Sequence, residues 1–172
     1  MRSQAIALGF LLVVCGPAPV RAQTPDSVRQ TGSDWAVGAS VGFLNSVQSS
    51  TLGLNLTQLR PGRLGGDFSI GTMPRVLVEG VVPLGARAGL ALPVILDSRV
   101  LLVPSAGVSA LGVASSSGGG GTVGLNAGMA VMVFGTGSLG LRTGVTFHEF
   151  GDIRSRICLL EFGVVSKPKG VR

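Results

Sequence analysis

Apolar residues recur at every second position along most of this chain, and that period leaves little choice of backbone. Trp35, Val37, Ala39, Val41 and Phe43 alternate with Ala36, Gly38, Ser40 and Gly42, and Leu52, Leu54 and Leu56 alternate with Gly53, Asn55 and Thr57. Side chains two apart share one face of a strand, whereas a helix repeats near 3.6, so each run reads as a strand with one greasy face. The same pattern returns in Phe68 and Ile70; in Ala86, Ala88, Leu90 and Leu92; in Val108 and Ala110; and in Val123, Leu125, Ala127 and Met129. It ends with Leu139, Leu141, Val145 and Phe147, then Cys158, Leu160 and Phe162, making eight predicted strands.

Turn residues separate these runs at hairpin spacing: residues 45–50, 60–64, 97–99, 115–121, 135–137 and 151–152. Residues 72–84 are the exception, because Val76-Leu77-Val78 and Val81-Val82-Pro83 are too apolar for an ordinary loop, and the border of strands three and four falls among them. Apart from the leader, no stretch offers the ~18 uninterrupted apolar residues of a spanning helix. Arg87 and Pro93 interrupt one candidate, and Pro104 and Ser105 the other.

The first 22 residues have the plan of a secretory signal: Arg2, an apolar run from Ala5 to Cys15, Gly16-Pro17, then Val20-Arg21-Ala22. Cleavage after Ala22 leaves an unlipidated N-terminus, since Val14 is too bulky for the position before a lipidated cysteine. The expected organisation is a leader at 1–22, a tail at 23–34, a barrel at 35–166 and a tail at 167–172. After cleavage only Cys158 of the two cysteines remains, which excludes an intrachain disulfide and a cysteine-rich metal site. The mature chain carries twelve basic and eight acidic residues, a net charge of +4. These basic residues are scattered and tyrosine is absent, so nucleic-acid binding is not expected.

Strand pairing offers a check on facing, because opposed residues in an antiparallel hairpin have a constant index sum. A two-residue turn at Gly151-Asp152 sets Leu141 against Phe162 and Arg142 against Glu161; around residues 115–121, Ala110 meets Leu125 and Ser109 meets Asn126. Apolar meets apolar in both hairpins. A soluble barrel turns its apolar face inward, whereas a membrane barrel turns it to lipid. Composition decides between them: charged residues are 13% of the chain against roughly a quarter in soluble domains, glycine is 28 of 172 residues, and mean hydropathy is +0.54. The small/polar face, with Asp67, Arg87, Arg142, Glu161 and His148 as its ionisable members, is too sparsely charged to be a solvated exterior. An arginine on the lipid face costs roughly 2–4 kcal/mol at the midplane, which sends Arg142 inward.

The expected fold is therefore all-β: a single antiparallel up-and-down barrel of eight strands behind a cleaved signal peptide. Over about 35–166 this pattern resembles the small eight-stranded outer-membrane barrels of the OmpA and OmpX type. The resemblance implies an outer-membrane address, lipid as the surrounding partner and a monomer. The chain departs from that type in its few aromatics, with Trp35, Phe43, Phe134, Phe147, Phe150 and Phe162 available as interfacial girdle members, and in its basic end at 167–172.

Four inward charges, Asp67, Arg87, Arg142 and Glu161, are read as a lumen charge network that fills the barrel; a gate or ion path is the competing role. His148, the sole histidine, with Thr146 beside it, is a candidate polar site. Barrel lipid A deacylases use Ser, His and an acid on adjacent strands, but the His-x-Ser order is missing here and Glu161 is expected several residues away, so a histidine at the rim is the preferred reading. Gly119–Gly124 and Gly135–Gly140 match G-x-G-x-x-G without the helix a dinucleotide site requires. Asn55-Leu56-Thr57 is a glycosylation sequon in mid-strand. No catalytic residue, cofactor or metal is expected. The function expected is a non-catalytic outer-membrane barrel with a structural or surface-interaction role. The alternatives are a soluble periplasmic or secreted barrel holding an apolar ligand, and a barrel lipid hydrolase.

Overall fold

The computed structural model of the chain describes residues 34–44, 49–74, 81–116, 118–151 and 155–168, all within the unit Thr31–Arg172. The leader reading at 1–22, and most of both tails, lie outside the described residues.

Nine strand segments follow one another: β1 (Trp35–Leu44), β2 (Ser49–Gln58), β3 (Gly65–Thr72), β4 (Val81–Ala91), β5 (Val94–Asp97), β6 (Val100–Ser115), β7 (Gly118–Phe134), β8 (Leu139–Phe150) and β9 (Ser155–Ser166). Successive strands pair antiparallel except β4 and β5, which lie end to end against β6, and β9 returns to β1, so the sheet closes on itself. β5 continues β4 rather than adding a strand to the ring. Both β4 and β5 pair with β6, and the break between them falls at Leu92-Pro93, opposite the region of Pro104. Proline has no N–H for the ladder, so regular pairing fails there, although Leu92 N still donates to Pro104 O at 3.0 Å. Counted around the ring, the barrel has eight strands. Among the described strands, closure leaves only the short β5 with a single partner and pairs each of the rest along both edges.

One parity runs round the whole ring. Ser40, Asn55, Asp67, Arg87, Ser109, Asn126, Arg142, Thr146 and Glu161 point inward and are buried, while Val37, Leu54, Leu90, Val108, Leu125, Leu141 and Phe162 point outward and are exposed. Inward glycines make room for the buried polar side chains. Arg142 faces Gly163, Glu161 faces Gly144 and Gly42, and Asp67 faces Gly89. At Gly163 the approach is so close that a Cβ would strike the Ala39 carbonyl oxygen and come within 2.9 Å of Ser40 Cβ.

The lumen divides along its axis. At the end holding Trp35 and Ser166, which we call the terminal end, Ala36, Leu59, Ala91, Leu101, Val103, Ala130, Met132, Phe134 and Val165 form an apolar plug. Polar and charged groups occupy the middle. The far end carries the β1–β2, β3–β4, β6–β7 and β8–β9 connections.

Three sequence expectations change in detail. The β8–β9 register has Leu141 against Val164 and Thr143 against Phe162, a shift of two residues, because four residues (151–154) rather than two join Phe150 to Ser155. The β6–β7 hairpin shifts by two as well: Ser109 faces Gly124 and Ala110 faces Val123, since β6 runs to Ser115 and β7 already begins at Gly118. Gly118 opens β7 with a φ of 137°, and residues 118–121 pair with 112–115, so they are strand rather than loop. A shift of two leaves every side chain on its original face. Two predicted girdle members are also corrected. Phe134 and Phe150 point inward, only 1% and 4% exposed, whereas Phe68 is outward and 43% exposed. The described border of strands three and four assigns Val81-Val82-Pro83 to β4; residues 75–80 lie outside the described set.

Candidate functional site: the polar lumen

Mid-lumen chemistry is built on Glu161 of β9. Its Oε2 lies 3.1 Å from Nη1 of Arg87, on β4, and 3.3 Å from Nη1 of Arg142, on β8. Arg87 Nη2 stands 3.6 Å from Asp67 Oδ2, and Thr57 Oγ1 donates to Asp67 Oδ1 at 2.7 Å. All four ionised side chains are no more than 7% exposed, so the network is screened from water and each charge depends on its partners. Asn55 Nδ2 donates to Ser40 Oγ at 2.8 Å, and Ser40 Oγ to Glu161 Oε1 at 3.4 Å, extending the chain of contacts across β2, β1 and β9.

Arg142 and Glu161 meet although the register does not oppose them. They sit on diagonal positions, each opposite a glycine, and their long side chains bridge the offset. Arg87 reaches across the lumen to β9 and also donates to Thr146 Oγ1 at 2.7 Å. Thr146 is thereby an acceptor for Arg87 and not a partner of His148.

His148 lies three residues before Gly151, but its ring turns into the lumen instead of standing at an open rim. Nδ1 lies 2.8 Å from Ser109 Oγ of β6, and Asn126 Nδ2 of β7 donates to the same Oγ at 2.8 Å. The ring stacks on Phe150, with centroids 6.1 Å apart and planes 2° from parallel. His148 and Glu161 line a common half-enclosed cavity of about 100 Å³ toward the far end, with Arg87, Ser109 and Thr51 beside them and Leu44, Leu111, Phe150, Ile157 and Leu159 around them.

Ser109 is the site residue that sequence reasoning left unassigned. Its inward parity was readable, but its bond to His148 spans two strand intervals, and nothing in the spacing announces that. No described group of acidic, histidine and cysteine side chains has the make-up of a metal site. Cys158 lies in β9 and is not in a disulfide. Asn55 and Thr57 of the sequon are both buried in the lumen, and the two glycine motifs fall in β7 and at the β7–β8 turn, with no helix after either.

Sequence comparison finds no matching family model and no matching curated protein. Solved structures do match in fold. The N-terminal β-barrel domain of OprF from Pseudomonas aeruginosa aligns with a TM-score of 0.62 at 13% identity, over 78% of this chain and 98% of that one. Neisserial surface protein A aligns at 0.61 with 15% identity, over 79% and 98%. A de novo designed transmembrane β-barrel aligns at 0.57 with 12% identity, over 81% and 98%. The fold is that of the small outer-membrane β-barrels. That a design shares it at such low identity fits the argument from alternation: the architecture follows from pattern and closure, not from particular residues.

Proposed function

We propose that this chain is an exported, non-catalytic outer-membrane β-barrel, monomeric in lipid, with a structural or surface-interaction role. The observation that carries the reading is the outward face. Leu125, Leu141, Leu54 and Phe147 are 60–69% exposed, and no Asp, Glu, Lys or Arg points outward from the middle of a described strand. Such an apolar belt in water far exceeds the patches soluble monomers tolerate, while in a bilayer it is the required surface. The outward ion pair Glu149–Arg156, at 3.0 Å, lies at the strand ends by the β8–β9 turn, where headgroups and water would meet it.

The lumen supports a structural role for the charges. Partners on β3, β4, β8 and β9 tie strands across the barrel, and the apolar plug blocks the terminal end, so the network serves as filling and cross-bracing rather than an ion path. Against the hydrolase alternative, Ser109 and His148 are within bonding reach, but Ser109 is buried at 3% exposure and, among the described residues, no acid bonds the other nitrogen of His148. The soluble-carrier alternative requires a charged exterior, which the described strands do not present.

Cell fractionation tests the reading. The protein should sediment with outer membranes, resist extraction by carbonate and urea, and dissolve only in detergent. Recovery in the periplasmic extract without detergent would overturn it. A His148→Ala variant should leave lipid-hydrolysis assays of these membranes unchanged.

A further inference from the structure

The far-end cavity has a chemical polarity that the charge network does not account for. Its walls are mainly apolar, with Leu44, Leu111, Ile157 and Leu159 among them, while Arg87 and His148 stand at its polar end. The Arg87 side chain is 4% exposed and its Nη2 is ion-paired with Asp67, yet Nε has no partner, and neither has His148 Nε2. Ser109 Oγ holds His148 through Nδ1 and accepts from Asn126 Nδ2, so Nε2 is the ring nitrogen without a partner. Arg87 Nε, which can only donate, is thus a surplus donor beneath an apolar wall. Buried donors without acceptors are costly, and an occupant that supplies an acceptor recovers that cost.

We propose that this cavity binds a short, uncharged acyl compound, its carbonyl oxygen accepting from Arg87 Nε beside His148 and its alkyl chain lying against the leucines and Ile157. Charge balance selects a neutral acceptor. Arg87 and Arg142 are already matched by Asp67 and Glu161, so a carboxylate would add an unmatched negative charge beside Glu161. A cation would stand against the Arg87 guanidinium, and Glu161, the one carboxylate in the wall, is already shared by Arg87 and Arg142. An apolar cavity on the order of 150 Å³ holds benzene, so about 100 Å³ suits a few carbon atoms, with the partly open mouth allowing a longer chain to extend outward.

Gly85 supplies the decisive variant. It points into the cavity, and a Cβ there would meet nothing closer than the Gly71 carbonyl oxygen at 3.9 Å, so Gly85→Leu fills the space without disturbing the charge network. The experiment titrates the folded barrel in nanodiscs with methyl butyrate and, separately, with butylammonium, following amide shifts of cavity residues by NMR. Methyl butyrate is expected to give saturable shifts confined to the cavity, weakened at least tenfold by Gly85→Leu and by Arg87→Met, while butylammonium gives none. A variant is scored only if its spectrum retains the dispersion of a folded barrel, and Gly85→Leu alone suffices should Arg87→Met fail to fold. Unsaturable shifts, equal shifts with butylammonium, or full binding in folded Gly85→Leu would each overturn the proposal.

Discussion

The terminal end and the middle of the lumen solve one problem by opposite means. At the terminal end, Met132 and Phe134, 0% and 1% exposed, pack with Leu101, Val103 and Val165 as a small apolar core. In the middle the space is spanned by Arg87, Arg142, Asp67 and Glu161, whose reach lets side chains from distant strands meet. Apolar filling is non-directional and tolerates substitutions of similar volume, whereas a buried ionic network depends on every member. The plug should respond to changes in volume, and the network to changes in charge.

The largest effects should come from removing the hub of each region. Glu161→Ala leaves two buried guanidinium groups without their shared carboxylate and should cost about 3–5 kcal/mol, read from urea unfolding in liposomes. Glu161→Gln keeps the shape but not the charge and should also destabilise the barrel. Phe134→Ala should lose a similar ~3–5 kcal/mol by opening a cavity, while Phe134→Leu should recover most of it. If Glu161→Gln proved as stable as the parent, the middle would be filled by shape alone and the contrast with the plug would fail.

A lipid-facing charge comes next. Leu125→Arg, outward and 69% exposed, should cost roughly 2–4 kcal/mol near the midplane and reduce insertion into liposomes. An unchanged insertion yield would place that face in water. Thr57→Val removes the hydroxyl that donates to Asp67 at 2.7 Å and should cost about 1–3 kcal/mol by the same unfolding assay. The smallest effect belongs to Arg156→Ala, whose pair with Glu149 is exposed on both sides and should change stability by about 0–1 kcal/mol.

Facing was legible in the sequence because period two survives an error in register. Leu141 and Phe162 share a face whether paired directly or two residues apart, so the inward placement of Arg142 and Glu161 follows from parity alone. Turn length was not legible. The glycine run at 118–121 has the composition of a loop but pairs in β7 with residues 112–115 of β6. The inward course of Phe134 was masked because Ala130-Val131-Met132-Val133-Phe134 is apolar on both faces, and only parity extended from Leu125 and Met129 assigns it. Contacts across the lumen, such as Arg87 with Glu161 and Ser109 with His148, join strands that are not neighbours, and alternation carries no information about which residues share a height along the barrel axis.

The central claim is a closed barrel with its apolar face toward lipid, and the most direct test is SDS electrophoresis of the detergent-extracted membrane fraction with and without boiling. A closed barrel should resist SDS when cold and migrate as a compact band that shifts to the mobility of the unfolded chain on heating. A protein found in the aqueous fraction, with one mobility before and after boiling, would contradict the account.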